Sequence, residues 1–376
     1  MTPRIMTIAD TVFGYGSPQI AKLTESISKE LQTASHILQP LVPERSVIDM
    51  NLSNMTLETV ATSMHPYTIV GRSEYNDKCA RVINAIRPDI VIITNYLLFD
   101  IIDDFKYRPK KLIHLALEDL EPILKARDAS CKIERLKRQA EKIDIWLFPE
   151  SNRAQYDTNF LGIRWEKVFV FYNAPSDSFV VNKDKNGRFI YAGTLNADLS
   201  IGKYIFDEQM APYPIDVYGD LQGTNESINT MKGKWDHLKG LRRENRVKWH
   251  GQVPKITLDK VLPEYSFSLL LWLPVGHAFL NAAPNKFFQS VATGVPVISA
   301  PHPQTKMLIE RYGCGLVLDG WERHQLINGI RKAKRIFGSS VYDEMLKNCE
   351  RAVSTELRWS TQFGKFNKRF HVENWD

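Results

Sequence analysis

The sequence predicts an α/β chain built as two doubly wound domains in series, and three observations predict it. Short β-branched runs alternate with amphipathic stretches, the pattern of a parallel sheet wrapped by helices. The rhythm breaks once and restarts, and 376 residues suffice for two cores of middling size. At the break lies NAPSDSFVVNKDKNG, residues 173–187, whose Asn, Asp, Pro and Gly content marks an interdomain linker. The expected layout is a first domain over 1–172 and a second over 188–340. Helices over 341–376 follow, the last packing back on the first domain.

Each element follows from its local pattern. First-half strands are expected at 4–9, 36–39, 89–94, 112–117, 145–148 and 168–172, where Val, Ile and aromatic residues concentrate. Helices are expected at 19–31, 74–86 and 123–142, the last repeating its apolar residues at helical spacing. In the second half, strands at 188–192, 215–218, 247–249, 267–271, 297–299 and 316–318 alternate with helices at 201–210, 258–265, 285–293, 304–310 and 324–336. Two more helical stretches follow Tyr342 and end in the aromatic-basic tail TQFGKFNKRFHVENW.

Composition narrows the class. Hydrophobic content of 43% and charged content of 24% are those of a globular chain. Cys79, Cys131, Cys314 and Cys349 lie far apart with no CxxC pair, so free thiols in a reducing compartment are expected. No secretory leader opens the sequence, and no apolar run approaches about 18 residues. The expected location is therefore cytoplasmic, or peripheral at the inner face of the membrane. The net charge of +6 arises wholly after residue 172. Its densest run is Lys232, Lys234, Lys239, Arg242, Arg243, Arg246 and Lys248, which suits an anionic ligand, a membrane surface or a solvated face. The P-loop, HExxH and GxSxG patterns are absent, so those NTPase, metalloprotease and hydrolase readings lack support.

Three segments carry candidate chemistry, one in the second half and two in the first. In APNKFFQSVATGVPVISA, residues 283–300, Pro284 suits a helix start and Asn285, Lys286 and Phe287 fill the first turn. The free N–H groups there favour an anion, Lys286 adds a full charge, and Gln289 lies three positions on, close to the same face. An ordinary helix–strand connection with an exposed lysine would read alike. In HLALEDLEP, residues 114–122, Glu118, Asp119 and Glu121 follow a buried strand, where open α/β sheets place ligands and catalytic groups. Glu118 or Asp119 is the candidate general base; helix capping is the alternative role. His65, His114, His277 and His302 are further candidates, His277 best placed among them. In DTVFGYGSPQ, residues 10–19, Gly14 and Gly16 allow close backbone approach to a ligand and Ser17-Pro18 opens a helix, as would a tight turn with packing glycines.

The donor-type helix P-x-K followed by A-x-G-x-P-V-I resembles that of GT-B glycosyltransferases, enzymes with two Rossmann-like domains facing across a cleft. GRFIYAGTL at 187–195 resembles the strand and turn that open their donor domain, IDVYGD at 215–220 the next strand, and VKWHGQVP at 247–254 the segment before the base-holding loop. YSFSLLLWLP at 265–274 and YGCGLVLDG at 312–320 are similar to the strands flanking the donor helix. The resemblance covers roughly residues 165–335 and implies donor contacts at Gly193, Thr194, Gly219, Val253, Pro254, His277, Asn285, Lys286, Phe287 and Gln289. It also implies that the turn with Gly14, Gly16 and Ser17 faces the cleft.

Departures from the pattern refine the expectation. Many retaining members hold an acid where this chain has Gln289 and another where it has Asn281. They also hold an Arg in the turn that reads Gly193-Thr194-Leu195 here, and a Lys with which Lys203 is out of register. The Lys286/Gln289 arrangement is similar to that of xanthan-type glucuronosyltransferases, which invert. The resemblance thus implies an inverting transferase using a nucleotide-diphosphate sugar, with UDP the expected nucleotide. A saccharide or lipid-linked acceptor in bacterial cell-surface polysaccharide or glycoconjugate synthesis is expected. No D-x-D occurs, and neither a metal, another cofactor nor nucleic acid is expected. A nucleotide-sugar epimerase or hydrolase on the same fold, or a non-catalytic nucleotide-sugar-binding protein, is the alternative.

Overall fold

The computed structural model describes residues 4–13, 18–45, 54–121, 129–174, 177–182, 184–241 and 246–375. The chain divides into two compact units, one of Met1–Pro175 with Trp359–Asp376, the other Ser176–Arg358.

Unit 1 is a seven-stranded, all-parallel sheet. Its strands are β1 (Ile5–Ile8), β2 (Ser35–Pro40), β3 (Met55–Val60), β4 (Ile90–Thr94), β5 (Lys111–Leu115), β6 (Ile145–Phe148) and β7 (Val168–Val170). The order is β3-β2-β1-β4-β5-β6-β7, so the winding reverses between β1 and β4. Both faces are covered, and β4, with sequence IVIIT, is buried along its whole length, as central parallel strands are. Ile90 and Ile92 pack into one core and Val91 and Ile93 into another, on opposite faces.

Unit 2 holds a six-stranded sheet ordered β12-β10-β8-β13-β14-β15. These strands are β8 (Phe189–Ala192), β10 (Ile215–Tyr218), β12 (Lys248–Gly251), β13 (Phe267–Leu270), β14 (Val297–Ser299) and β15 (Gly315–Val317). β9 (Leu195–Asn196) and β11 (Leu221–Gln222) form a small separate pair. All ladders are parallel, and here the winding reverses between β8 and β13.

Several elements differ from the sequence pattern. The strand Met55–Val60 sits at the sheet edge, half its residues exposed, and its polar alternation hides it. The helix Ile69–Ile86 starts five residues before its apolar periodicity does, because Thr68 caps it by accepting from the Gly71 N–H at 3.1 Å. Ile69 and Val70 are exposed in that first turn, 91% and 61%, which breaks the amphipathic signal. The stretch 173–187 is not a free tether: the Val180 N–H donates to Ala292 O and the Asn186 N–H to Glu264 O, both within unit 2.

The tail belongs to unit 1. The helix Trp359–Phe370 and the turn after it bury Trp359, Phe366, Val372 and Trp375 in the core under β1, β4 and β5. The Phe366 ring lies 5.7 Å from Phe169, 6.2 Å from Phe171 and 6.1 Å from Trp375 between centroids, in tilted and edge-on arrangements. These rings are packed inside the unit and offer nothing to a membrane. Phe366→Ala is expected to destabilise the protein by about 3–5 kcal/mol, the cost of emptying a buried aromatic site. Urea unfolding followed by tryptophan fluorescence checks this; a loss below about 1 kcal/mol would remove the tail from the structural core.

Candidate functional site

In unit 1 the carboxyl ends of β1, β4 and β5 are joined by one side chain. Asn95, just past β4, accepts at Oδ1 from the N–H groups of Leu117 (2.8 Å) and Glu118 (2.7 Å). Its Nδ2 donates to Asp10 Oδ2 at 2.7 Å, and the Thr94 hydroxyl donates to the other Asp10 oxygen at 2.9 Å. Asn95 has φ 52° and ψ 158°, a conformation favourable only to glycine, so its three hydrogen bonds hold strain in place. The reversal point of a doubly wound sheet leaves a crevice at this edge, and a cavity of about 780 Å³ opens there. Asp10, Thr11, Arg45, Tyr67, Arg72 and Glu118 are among its lining residues.

Glu118 and Asp119 part company. Glu118 lines the cavity, is exposed to solvent on one side, and has no hydrogen bond or ion pair to its carboxylate among the described residues. Burial of its remaining surface raises its pKa from its ordinary value; Arg153 opposes this, while Asp10 and Asp119 reinforce it. Asp119 is buried, is not among the lining residues, and its Oδ1 accepts from the Glu121 N–H at 2.8 Å. It is a turn-holding residue, which corrects its candidacy as base. His114 is also corrected. It is fully buried among Tyr96, Phe99 and Trp146, and desolvation pulls its pKa down to about 3. His65 bonds Glu44 and the Tyr67 N–H and does not line the cavity. Gly14, Gly16 and Ser17 lie outside the described residues.

In unit 2 the helix Asn285–Ala292 brings Lys286 and Gln289 together, Lys286 Nζ donating to Gln289 Oε1 at 2.9 Å. The Gln289 amide in turn donates to Asp259 Oδ1 at 2.5 Å, and Asp259 pairs with Lys255. Lys255 and Asp259 come from the helix Lys255–Val261, which Pro254 precedes as N-cap. A chain of bonds, Lys286–Gln289–Asp259–Lys255, therefore links the helix that follows Val253 and Pro254 to the first turn of the helix Asn285–Ala292. Burial lowers the Lys286 pKa, Asp259 raises it, and Lys255 lowers it further. Phe287 does not join this group. Its ring is wholly buried, edge-on to Phe288, and its N–H bonds Pro284 O, so it packs the helix against the core.

Gly193, Thr194, Gly219, Val253 and Pro254 lie past the carboxyl ends of β8, β10 and β12. Gly219 has φ 143°, and a Cβ on it would stand 2.0 Å from Gly193 O, so only glycine lets these turns meet. The Gly219 N–H donates to Gly251 O, Thr194 is exposed, and Val253 packs against the core cluster of Ile190, Leu258 and Leu262. His277 is half-buried in the short helix Gly276–Leu280. His302 is buried, its nitrogens 3.1 and 3.0 Å from the carbonyls of Leu280 and Trp272, and burial lowers its pKa. It holds the loop that carries His277.

Sequence reading missed Asp10, Asn95, Arg45, Arg72, Lys255 and Asp259. Asp10 and Lys255 stood inside or beside quoted segments, but the partners that reveal them are distant in sequence. Among the described residues no group of three His, Cys, Asp or Glu side chains is arranged to hold a metal, and no helix is long and apolar enough to cross a membrane.

No protein-family model matches the chain, and no curated protein matches it in sequence. Solved structures do match it. The apo form of the lipopolysaccharide outer core galactosyltransferase WaaB is 15% identical with a TM-score of 0.64, covering 98% of this chain and 99% of that one. Anabaena HepE in complex with UDP and glucose is 14% identical with a TM-score of 0.67, covering 98% and 99%. Sucrose-phosphate synthase from Thermosynechococcus elongatus is 14% identical with a TM-score of 0.67, covering 98% of each chain. Identities this low speak to architecture. These neighbours are GT-B glycosyltransferases, and this chain has their fold of two Rossmann-like units.

Proposed function

We propose that the protein is an inverting, metal-independent glycosyltransferase that takes a UDP-sugar on unit 2 and a saccharide or lipid-linked acceptor on unit 1. A role in building a bacterial cell-surface polysaccharide or glycoconjugate belongs to the same proposal. The observation that carries it is Glu118: a carboxylate without a partner among the described residues, with a raised pKa, in the wall of a cavity at the reversal point of the unit 1 sheet. The UDP and glucose bound in the HepE structure support the choice of donor.

In this reading the acceptor hydroxyl oxygen attacks the anomeric carbon as the bond from that carbon to the diphosphate oxygen breaks. The hydroxyl proton passes to Glu118, and the nucleoside diphosphate leaves with the bonding pair. Lys286 and the first turn of the helix Asn285–Ala292 oppose the charge that grows on the leaving oxygen. Gln289, neutral and bonded to Lys286, orients that lysine without cancelling its charge.

Three outcomes are expected. Lys286→Ala should weaken UDP binding by about 1.5–3 kcal/mol in calorimetry; unchanged affinity in a folded variant would take Lys286 out of the site. Glu118→Gln should keep UDP affinity and lose about 10²–10⁴ in kcat, with wild-type product inverted relative to the donor. A base works deprotonated, so kcat/KM should fall on acidification through the raised Glu118 pKa, earlier than for an ordinary carboxylate. Full activity in Glu118→Gln, or a retained anomer, contradicts the assignment. Finally, turnover measured as UDP release should survive EDTA; a loss restored by a divalent cation would overturn metal independence, and UDP release without any acceptor would favour hydrolysis over transfer.

A further inference from the structure

Arg72 stands in the wall of the unit 1 cavity with no described carboxylate within ion-pair distance. Its guanidinium lies 5.5 Å from the Tyr67 ring centroid and 5.7 Å from that of Tyr75, while Nη2 donates to the Asp10 carbonyl at 3.2 Å. Nη1 is buried and has no hydrogen-bond partner among the described residues. Arg45 reaches the same place, donating through Nη1 to the hydroxyls of Thr11 (2.9 Å) and Tyr67 (3.0 Å), its guanidinium 5.4 Å from the Tyr67 centroid. One tyrosine ring thus carries two guanidinium groups. Aromatic faces orient cations but do not neutralise them, and two like charges so placed repel.

The other groups of the cavity do not pair with Arg72. Arg135 pairs with Asp100 and Asp103, each at 2.9 Å, and the Asp10 carboxylate is held by Thr94 and Asn95. Glu118 is the remaining lining acid, and it forms no ion pair with Arg72. A half-buried guanidinium with no ion-pair partner among the described residues and a buried N–H left unbonded is costly, and an oxyanion is the ligand that removes the cost, because the planar fork matches phosphate and carboxylate geometry. Thr11 and Ser73 place hydroxyl groups in the same lining, and the exposed Ile69 and Leu97 give a non-polar body a surface to lie on.

We infer that Arg72 and Arg45 form a subsite for an oxyanion carried by the acceptor, a phosphate or carboxylate, so that the acceptor is charged. This rests on reading unit 1 as the acceptor side. Arg72 bonds the carbonyl of Asp10, whose carboxylate is tied through Asn95 to the Glu118 backbone, so the charged group belongs near the reacting hydroxyl.

The test titrates full-length protein with glucose, glucose 6-phosphate and glucuronate by calorimetry. Flotation with phosphatidylcholine vesicles, with and without phosphatidic acid, runs beside it, and UDP is titrated into every sample. Wild type is expected to bind an oxyanion probe and not glucose. Arg72→Gln should weaken that binding at least about tenfold, with Arg72→Lys intermediate and UDP affinity unchanged. Binding to a soluble probe assigns a charged saccharide; binding only to phosphatidic acid vesicles assigns a lipid-borne phosphate. Should Arg72→Gln fail to fold, Arg72→Lys and Arg45→Gln carry the comparison. Wild type that binds no oxyanion probe, binds glucose equally well, or keeps its oxyanion affinity in the arginine variants overturns the inference. Absence of UDP binding in wild type would instead count against the glycosyltransferase reading and leave the oxyanion result legible.

Discussion

The hydrogen bonds of Asn95 are the constraint on which the unit 1 site depends. Parallel strands end with backbone donors and acceptors that their neighbours no longer satisfy, and these cannot stay unpaired at a crevice floor. A single carboxamide answers two such demands, the Leu117 and Glu118 N–H groups, and also bonds the Asp10 carboxylate, closing the ends of β1, β4 and β5 against each other. The backbone strain at Asn95 is of order 1–3 kcal/mol, and the three hydrogen bonds offset it. Glu118 inherits its position from this arrangement through its own N–H. Its backbone is fixed while its carboxylate stays free, which is what a proton acceptor requires.

Unit 2 solves a different problem, keeping a half-buried lysine charged. Desolvation alone would favour neutral Lys286, and a directly paired carboxylate would hold the charge but mask it. Gln289 stands between the two solutions. It bonds Lys286 on one side and Asp259 on the other, so the acid acts on the lysine from a distance and Lys255 balances the acid. In the resembling retaining enzymes an acid occupies the Gln289 position. The substitution of an amide leaves more net positive charge for a diphosphate to meet.

How much of this was legible in the sequence follows from the range of the interactions. Buried parallel strands announce themselves locally, and IVIIT at 90–94 could hardly be anything else. The helix Asn225–Gly240 escaped notice because it buries only Met231 and Leu238, too little for a periodic signal, and Gly233 and Gly240 dilute its propensity. The placement of Glu118 past the end of β5 was legible because a strand end is a local feature with a general geometric meaning. Asp10 and Asn95 were not, since their bond joins residues 85 apart and a short polar side chain after a strand usually only turns the chain. Phe287 misled for the opposite reason: its place in the first helical turn suggested a ligand, whereas the apolar helix face it belongs to is set by the core.

The two halves of the unit 1 cavity also act on each other. Burial raises the Glu118 pKa, Arg153 holds it down, and Asp10 and Asp119 add to the rise. An oxyanion docked on Arg72 would add negative charge to the acidic side and cancel positive charge on the other. Both changes favour the protonated form of Glu118, so the carboxylate would become a stronger base when a charged acceptor is in place. A neutral acceptor would leave Glu118 nearer its resting basicity. Charge on the acceptor would then contribute to proton transfer as well as to binding, and discrimination would appear in kcat as much as in KM.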